Sequence, residues 1–255
     1  MHRFFRGLLP VLGMVGVACL LIVVEDLGTA ALIAGVAGVL LVAGGARIWQ
    51  MAMMVVPAGG AVYVAIATSP YRMARLTSFL DPWQDARGSG YQAIQSMVAI
   101  AGGGPSGRGL GNGIQKFEYL PADTTDMIFA VVWEEMGIAG AAAVVVLFVV
   151  MLWAGVGVVR GCRDTFGRLV ALGVILTVGL QAAINVAVVT VVVPTKGIAL
   201  PLVSSGGTGW LVTAFALGLV AALDTDNYLA MQPVEVNVER PADTGANLAP
   251  ASSPA

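Results

Sequence analysis

Charge is scarce in this sequence: only 11% of its 255 residues are Asp, Glu, Lys or Arg. So small a share, beside 58% hydrophobic residues and a mean hydropathy of +0.86, excludes an ordinary soluble globule and fits an integral membrane protein. An excess of positive charge is lacking too. The formal net charge is −2, partly from an acidic tail, which argues against nucleic acid as a partner. Cysteine is almost absent. Cys19 lies inside the first apolar run and Cys162 in a short basic loop, at different depths, so neither a disulfide nor a metal site is expected of them. No internal repeat is visible. No convincing small-residue cleavage site follows the opening MHRFFR, so Met1 is expected to begin either a signal anchor or a truncated chain.

What the chain has in quantity is apolar runs, at 8–24, 28–44, 48–67, 136–159 and 169–193, with a last one ending at Leu223. The expected fold is all-α: a polytopic membrane protein of about six transmembrane helices with a large extracytoplasmic loop. The expected division is three spans over 1–68, the loop with its amphipathic helix over 69–127, three spans over 128–223, and a disordered cytoplasmic tail over 224–255. The first two runs are short and form a hairpin with EDLGT at its tip. In the second, Ala31 with Gly35 and Ala34 with Gly38 are spaced to let another helix approach closely. Pro57, with Gly59 and Gly60, should kink or loosen the third. The apolar character of the fourth begins at Met127, so its helix should rise above the membrane surface. Thr177, Gln181 and Asn185 follow one another at four-residue steps in the fifth and should face the bundle interior, because lipid offers them no partners.

Basic residues set the expected orientation. With the N-terminus in the cytoplasm, Arg3, Arg6, Arg47, Arg160, Arg163 and Arg168 all fall inside, and both termini are cytoplasmic. The 69–125 loop, the EDLGT tip and the PTKG turn then face outward. Within the long loop, 89–101 reads as an amphipathic helix, with Ile94, Met97, Val98 and Ala101 on one face and Gln92, Gln95 and Ser96 on the other. The glycines of 102–113 suit a backbone that turns tightly or comes close to a ligand.

The outer face thus gathers acids at Glu25, Asp26, Asp81, Asp85, Asp123, Asp126, Glu134 and Glu135, and cations at Arg72, Arg75, Arg108, Lys116 and Lys196. A carboxylate at the rim of an apolar helix is partly desolvated and becomes a better proton acceptor, while cations beside it suit a diphosphate leaving group. Each residue also has a plainer interpretation. Asp126 reads as an acid at a helix N-terminus, and Lys116 and Lys196 read as interfacial anchors. Glu134 and Glu135 are harder to dismiss, since an acid close to hydrocarbon is costly unless paired or functional.

Three long strings carry a specific resemblance: FLDPWQDARGSGYQAIQS (79–96), GRGLGNGIQKFEYLPADTTDMIFAVVWEEMGIAG (107–140) and INVAVVTVVVPTKGIALPLVSSGG (184–207). Together they resemble the FtsW/RodA/SpoVE family of lipid II polymerases, and within it the division members most. The resemblance implies a peptidoglycan glycosyltransferase of the bacterial cytoplasmic membrane. The C4 hydroxyl of one lipid II would attack the anomeric carbon of another and release undecaprenyl diphosphate with inversion. It puts Asp126 at the family's essential aspartate, as general base. Lys116, Lys196, Glu134 and Ser204 also match family positions. With Arg75 and Gln92 they form the expected substrate-binding set, the lysines for diphosphate and Glu134 for the shape of the pocket. A class B penicillin-binding transpeptidase and other divisome proteins are the implied partners. No cofactor is assigned, and a divalent cation is left open.

This chain departs from the family pattern at Thr125, where His is usual, at Glu25, where Pro is usual, and at Ser205, where Tyr is usual. The family has about ten spans, and the six here align with its last six. Two other readings stay open: a lipid II transporter, which should place ionisable groups and broken helices near the midplane, and a truncated homologue without catalysis.

Overall fold

The structure, a computed structural model, describes residues 8–117, 120–122 and 124–231. Arg3, Arg6, Asp123 and the tail beyond Met231 lie outside the described residues. The chain is helical as expected: α1 (Leu9–Val23), α2 (Leu27–Ala43), α3 (Ile48–Ala67), α4 (Pro70–Leu80), α5 (Tyr91–Gly103), α6 (Ile128–Gly161), α7 (Thr165–Val189) and α8 (Gly207–Met231). Four are long and apolar enough to cross a membrane, namely α3, α6, α7 and the 207–225 part of α8, while α1 and α2 are apolar but shorter. Their flanks carry bare apolar side chains such as Leu147, Trp153 and Phe215, the surface that a bilayer covers.

Local chemistry sets the helix ends. Asp26 caps α2 by accepting from the Gly28 N–H at 2.7 Å and from the Thr29 hydroxyl, which makes the tight turn of the α1–α2 hairpin. Asp164 caps α7 through the Gly167 N–H at 2.9 Å, so this helix begins at Thr165 and ends at Val189, a turn earlier at both ends than its apolar run suggests. Ser69 and Pro70 open α4, a helix within the long loop of 69–125.

Helix α7 is the hub, packed against α2, α5, α6 and α8. Its buried positions Ala171, Ile175, Val178, Ala182, Asn185 and Val189 recur every three or four residues along one stripe. Gly155 on α6 leaves room for Ile175, and Gly179 leaves room for Leu152, so α6 and α7 lie close together. Above them, Met127, Phe129, Leu120, Val188 and Leu200 form the main buried cluster.

Several details differ from expectation. Helix α3 passes through Pro57 as one element, whereas the break falls in α6, at Gly137 (φ 67°, ψ −163°). The small residues Gly35 and Gly38 of α2 face open space, and α2 packs through Gly28, Ala30, Leu32, Val36 and Leu41 instead. Ser96 is buried on α5, its hydroxyl donating to the Val189 carbonyl at 2.6 Å, while Val98 is exposed. The buried positions of α5 are Ala93, Ile94, Ser96, Ala99 and Gly103, so Ile94 packs inward as expected and Ser96 joins it among small residues that allow close packing on α6. Helix α8 continues beyond Leu223 to Met231, tethered where the Asn227 amide donates to Cys162 Sγ at 3.2 Å. The first residues of the expected tail are thus helical.

Candidate functional site

The charged residues of the loop end do not form one rim. They separate into two clusters with opposite characters.

The first is built on the 104–117 loop and the top of α6. Glu134 has no exposed surface, and both its carboxylate oxygens are taken: the Ile114 N–H donates to one at 3.1 Å and the Gln115 N–H to the other at 3.0 Å. Arg108 Nε lies 3.4 Å from the same group. Glu135 accepts from the Gly111 and Gly113 N–H groups and pairs with Lys116 Nζ at 2.6 Å. The Lys116 ammonium also donates to the Gly111 carbonyl at 2.7 Å. Backbone bonds complete the join, from Arg108 N–H to the Glu134 carbonyl and from Ile138 N–H to the Gly104 carbonyl. Gly137 opens α6 to admit this strap, and Gly107 (φ 76°) fills the opening so closely that a β-carbon would meet the Glu135 carbonyl. Of the two residues expected at the substrate, Glu134 holds backbone N–H groups, while Lys116 pairs with the Glu135 side chain and the Gly111 carbonyl. A loop this rich in glycine needs its N–H groups satisfied, and the two acids satisfy them.

The second cluster surrounds Asp126. This residue sits in the turn before α6. Three side chains from distant segments hold the turn. Ser204 Oγ donates to the Thr125 carbonyl at 2.6 Å, Ser205 Oγ to the Thr124 carbonyl at 2.9 Å, and Asn185 Nδ2 to the Asp126 carbonyl at 2.7 Å. The SSGG segment therefore fixes the backbone on either side of the aspartate, and the buried Ser204 acts through that backbone. The Asp126 carboxylate lies over Gly197, where a β-carbon would stand 3.1 Å from its Oδ2. Non-glycine residues with left-handed backbone (Ala122, Val191 and Leu202) occur in the same three converging segments, strain that persists only where surrounding contacts enforce it.

Charge around Asp126 comes from elements far apart in sequence. Arg75 on α4 donates to the Thr195 carbonyl at 3.3 Å and stacks on Tyr71, 4.6 Å from the ring centre. Arg72 gathers the ends of two helices, donating to the carbonyls of Val23, Val24 and Ala65. The stem of Lys196 crosses Gly28 beside Asp26. Partial burial and the Asp26 carboxylate push the Asp126 carboxyl above the ordinary aspartate range, and Arg75 only partly offsets them. At Asp26 burial acts in the same direction, but hydrogen bonds from Thr29 and Gly28 and the charge of Lys196 outweigh it and hold this acid below its usual range. Lys196 is pushed down, by burial first and by the neighbouring arginines, against the pull of Asp26.

Of the expected set, the structure thus brings together Asp126, Arg75, Lys196 and, through the backbone, Ser204. Gln92 stands half-buried on α5, outside the contacts described around Asp126. Asp81 and Asp85 turn away to cap local N–H groups of Trp83 and Ser89. Among the described residues no three His, Cys, Asp or Glu side chains are grouped as metal ligands. The sequence reading missed Asp26, Asn185 and Gly197 as parts of this site. Only the polar stripe of α7 and the PTKG string hinted at the last two.

Against this geometry, a family model described as "Cell cycle protein" (FTSW_RODA_SPOVE) matches residues 1–229. The chain belongs to the FtsW/RodA/SpoVE family. It is 40% identical over 218 residues to "Stage V sporulation protein E" of Bacillus subtilis strain 168, covering 85% of this chain and 60% of that one. It is 43% identical over 222 residues to the "Probable peptidoglycan glycosyltransferase FtsW" of Thioalkalivibrio sulfidiphilus, covering 86% of this chain and 56% of the relative. A chain from a solved peptidoglycan synthase complex, studied for its coordination of polymerisation and crosslinking, superposes with a TM-score of 0.66 at 28% identity. The match covers 88% of this chain and 62% of that one. Membership in the FtsW/RodA/SpoVE family and the long apolar helices together make this a multi-pass membrane protein. The chain spans less than two thirds of the length of these relatives.

Proposed function

We propose that the protein is a membrane-embedded peptidoglycan glycosyltransferase that polymerises lipid II, with Asp126 as the general base. The observation that carries this reading is the state of Asp126: half-buried, its turn held by three side-chain tethers, and its carboxyl raised in pKa by burial and Asp26, with Arg75 close by. A carboxylate so placed accepts a proton more readily than an ordinary surface aspartate. In the reaction it takes the proton of the C4 hydroxyl of one lipid II while that oxygen bonds to the anomeric carbon of the other. The bond from that carbon to the diphosphate breaks, and undecaprenyl diphosphate leaves with the electron pair. Arg75 and Lys196 neutralise the charge that develops on the leaving group. Lys116 and Glu134 take no part in this, since both are engaged in the 104–117 strap.

An apolar cavity of about 840 Å³ between α1, α2, α7 and α8 suits the isoprenoid part of such a substrate. It shares Gln181, Gly209 and Thr213 with a smaller cavity of about 180 Å³ that reaches Gly197 beneath the Asp126 carboxylate. The break in α6, a feature a transporter would need, is filled by the chain's own strap, which favours chemistry over transport. Arg47, Arg160, Arg163 and Arg168 stand at the opposite ends of their helices from this site, which supports a cytoplasmic N-terminus and an extracytoplasmic reaction in the bacterial inner membrane. The partner in this reading is a class B penicillin-binding transpeptidase, together with other divisome proteins.

The test is lipid II polymerisation by the full-length protein with its transpeptidase partner, wild type against Asp126→Asn. The variant keeps size and removes basicity, so turnover should fall by about 10²–10⁴-fold. Unchanged turnover overturns the assignment of the base.

A further inference from the structure

We propose that Asn185 of α7 is a positioning residue for Asp126, using its two amide hydrogens to clamp the Asp126 turn to the 194–200 segment. The inference rests on the reading of Asp126 as the reacting base. Asn185 is 1% exposed, and its Nδ2 donates to the Asp126 carbonyl at 2.7 Å and to the Ile198 carbonyl at 2.8 Å. These carbonyls belong to segments 59 and 13 residues away. They flank the one close approach that defines the site, Asp126 Oδ2 over Gly197. One side chain therefore sets the separation between the carboxylate and the glycine beneath it.

Two comparisons separate this from ordinary helix packing. Thr177 on α7 and Thr190 at its C-terminal cap, also polar, spend their hydroxyls on carbonyls of that helix, at Gly173 and Val186. Only Asn185 among these three crosses to the loops above. Its Oδ1, moreover, is buried with no hydrogen-bond partner among the described residues, a penalty that an apolar residue of similar volume would escape. What the amide keeps in return is the pair of N–H donors, and both point at the site. Ser204 and Ser205 hold the preceding two carbonyls, so the turn is fixed from above by the SSGG segment and from below by α7.

Asn185→Asp and Asn185→Ala, made in the full-length protein with its partner, test the idea. The aspartate is nearly isosteric and, when ionised, turns two donors into acceptors facing two carbonyls; the alanine removes both bonds without repulsion. Each should lower kcat about tenfold or more with KM for lipid II within about twofold, the aspartate being the worse. Thr190→Ala, whose hydroxyl serves only its own helix, should stay within about twofold of wild type in kcat. A second readout does not depend on activity. The Asp126 carboxyl can be titrated by infrared difference spectroscopy, wild type minus Asp126→Asn, in the presence and absence of Asn185. The charged groups acting on it are Asp26 at the start of α2 and Arg75 on α4. Loss of the clamp should let the carboxylate move toward water and shift its titration midpoint down toward the ordinary aspartate value. A midpoint unmoved in Asn185→Ala overturns the inference, as does wild-type kcat in both Asn185 variants while Asp126→Asn is dead. If Asp126→Asn retains wild-type turnover, the base assignment falls, and the midpoint alone decides the role of Asn185.

Discussion

Glu134 and Asp126 are both acids at the loop end of an apolar bundle, yet among the described residues the carboxylate of one is fully hydrogen-bonded and that of the other is not. Around Glu134 the chain supplies two backbone N–H groups and a guanidinium, and nothing of the carboxylate reaches the surface. Around Asp126 it holds the backbone with three side-chain bonds and leaves the carboxylate half-buried over a glycine with a like charge nearby. An acid whose hydrogen bonds are all spent on its own chain is a structural strut. An acid held in place but left short of partners is one that can accept a proton.

The contrast can be broken from either side. The largest effect on turnover should come from Asp126→Asn, about 10²–10⁴-fold, with folding intact. Glu134→Ala should do the reverse in kind. It leaves the buried Ile114 and Gln115 N–H groups without their acceptor and takes the ion-pair partner from Arg108, a loss of about 3–5 kcal/mol that appears as a collapse of the thermal transition in detergent. Gly197→Ala probes the close approach alone. A β-carbon 3.1 Å from Asp126 Oδ2 should shift the carboxylate by a few tenths of an ångström and lower kcat about tenfold, while the melting temperature stays near wild type. Lys116→Ala should be mild, weakening the strap by about 1 kcal/mol and leaving turnover within about threefold, because its ammonium serves Glu135 and Gly111.

The pH dependence follows from the raised Asp126 pKa, and its two signs oppose each other. Activity needs the carboxylate, so turnover should be lost as pH falls through the folded-state value, at a higher pH than an ordinary aspartate would give. Stability runs the other way. A carboxyl with a raised folded-state pKa binds its proton more tightly when folded, so its contribution declines as pH rises from the ordinary aspartate value through the folded value. Asp126→Asn removes that ionisation. It should therefore melt slightly higher than wild type near neutral pH, the smallest effect of the set, and the gain should vanish in acid.

Legibility in the sequence varied with the range of the contact. Apolar runs and caps are local, so the bounds of α3 are where its run predicts them and Asp26 caps α2 within its own turn. Composition misled where a short-range pattern had two solutions. The polar residues of α5 suggested an outward Ser96, but packing against α6 and α7 turned it inward among small residues and gave it a partner on α7. Gly137, unremarkable among so many glycines, opens α6 because the strap needs the space.

What the sequence by itself determined is the helical membrane architecture, from runs of apolar residues that can satisfy their backbone in lipid only as helices, and the family, from three long strings that hold their order. Which charges would work together was decided by the tertiary structure alone. Lys116 and Lys196 look alike in sequence, each an isolated cation in a glycine-containing loop. Folding gives the first to Glu135 and brings the second, whose neighbour in sequence is the glycine under the Asp126 carboxylate, to Asp26. The bonds that make this choice join residues 59, 79 and 81 positions apart. Local sequence records what a residue can bond to, whereas only the packed chain decides which candidates come within reach.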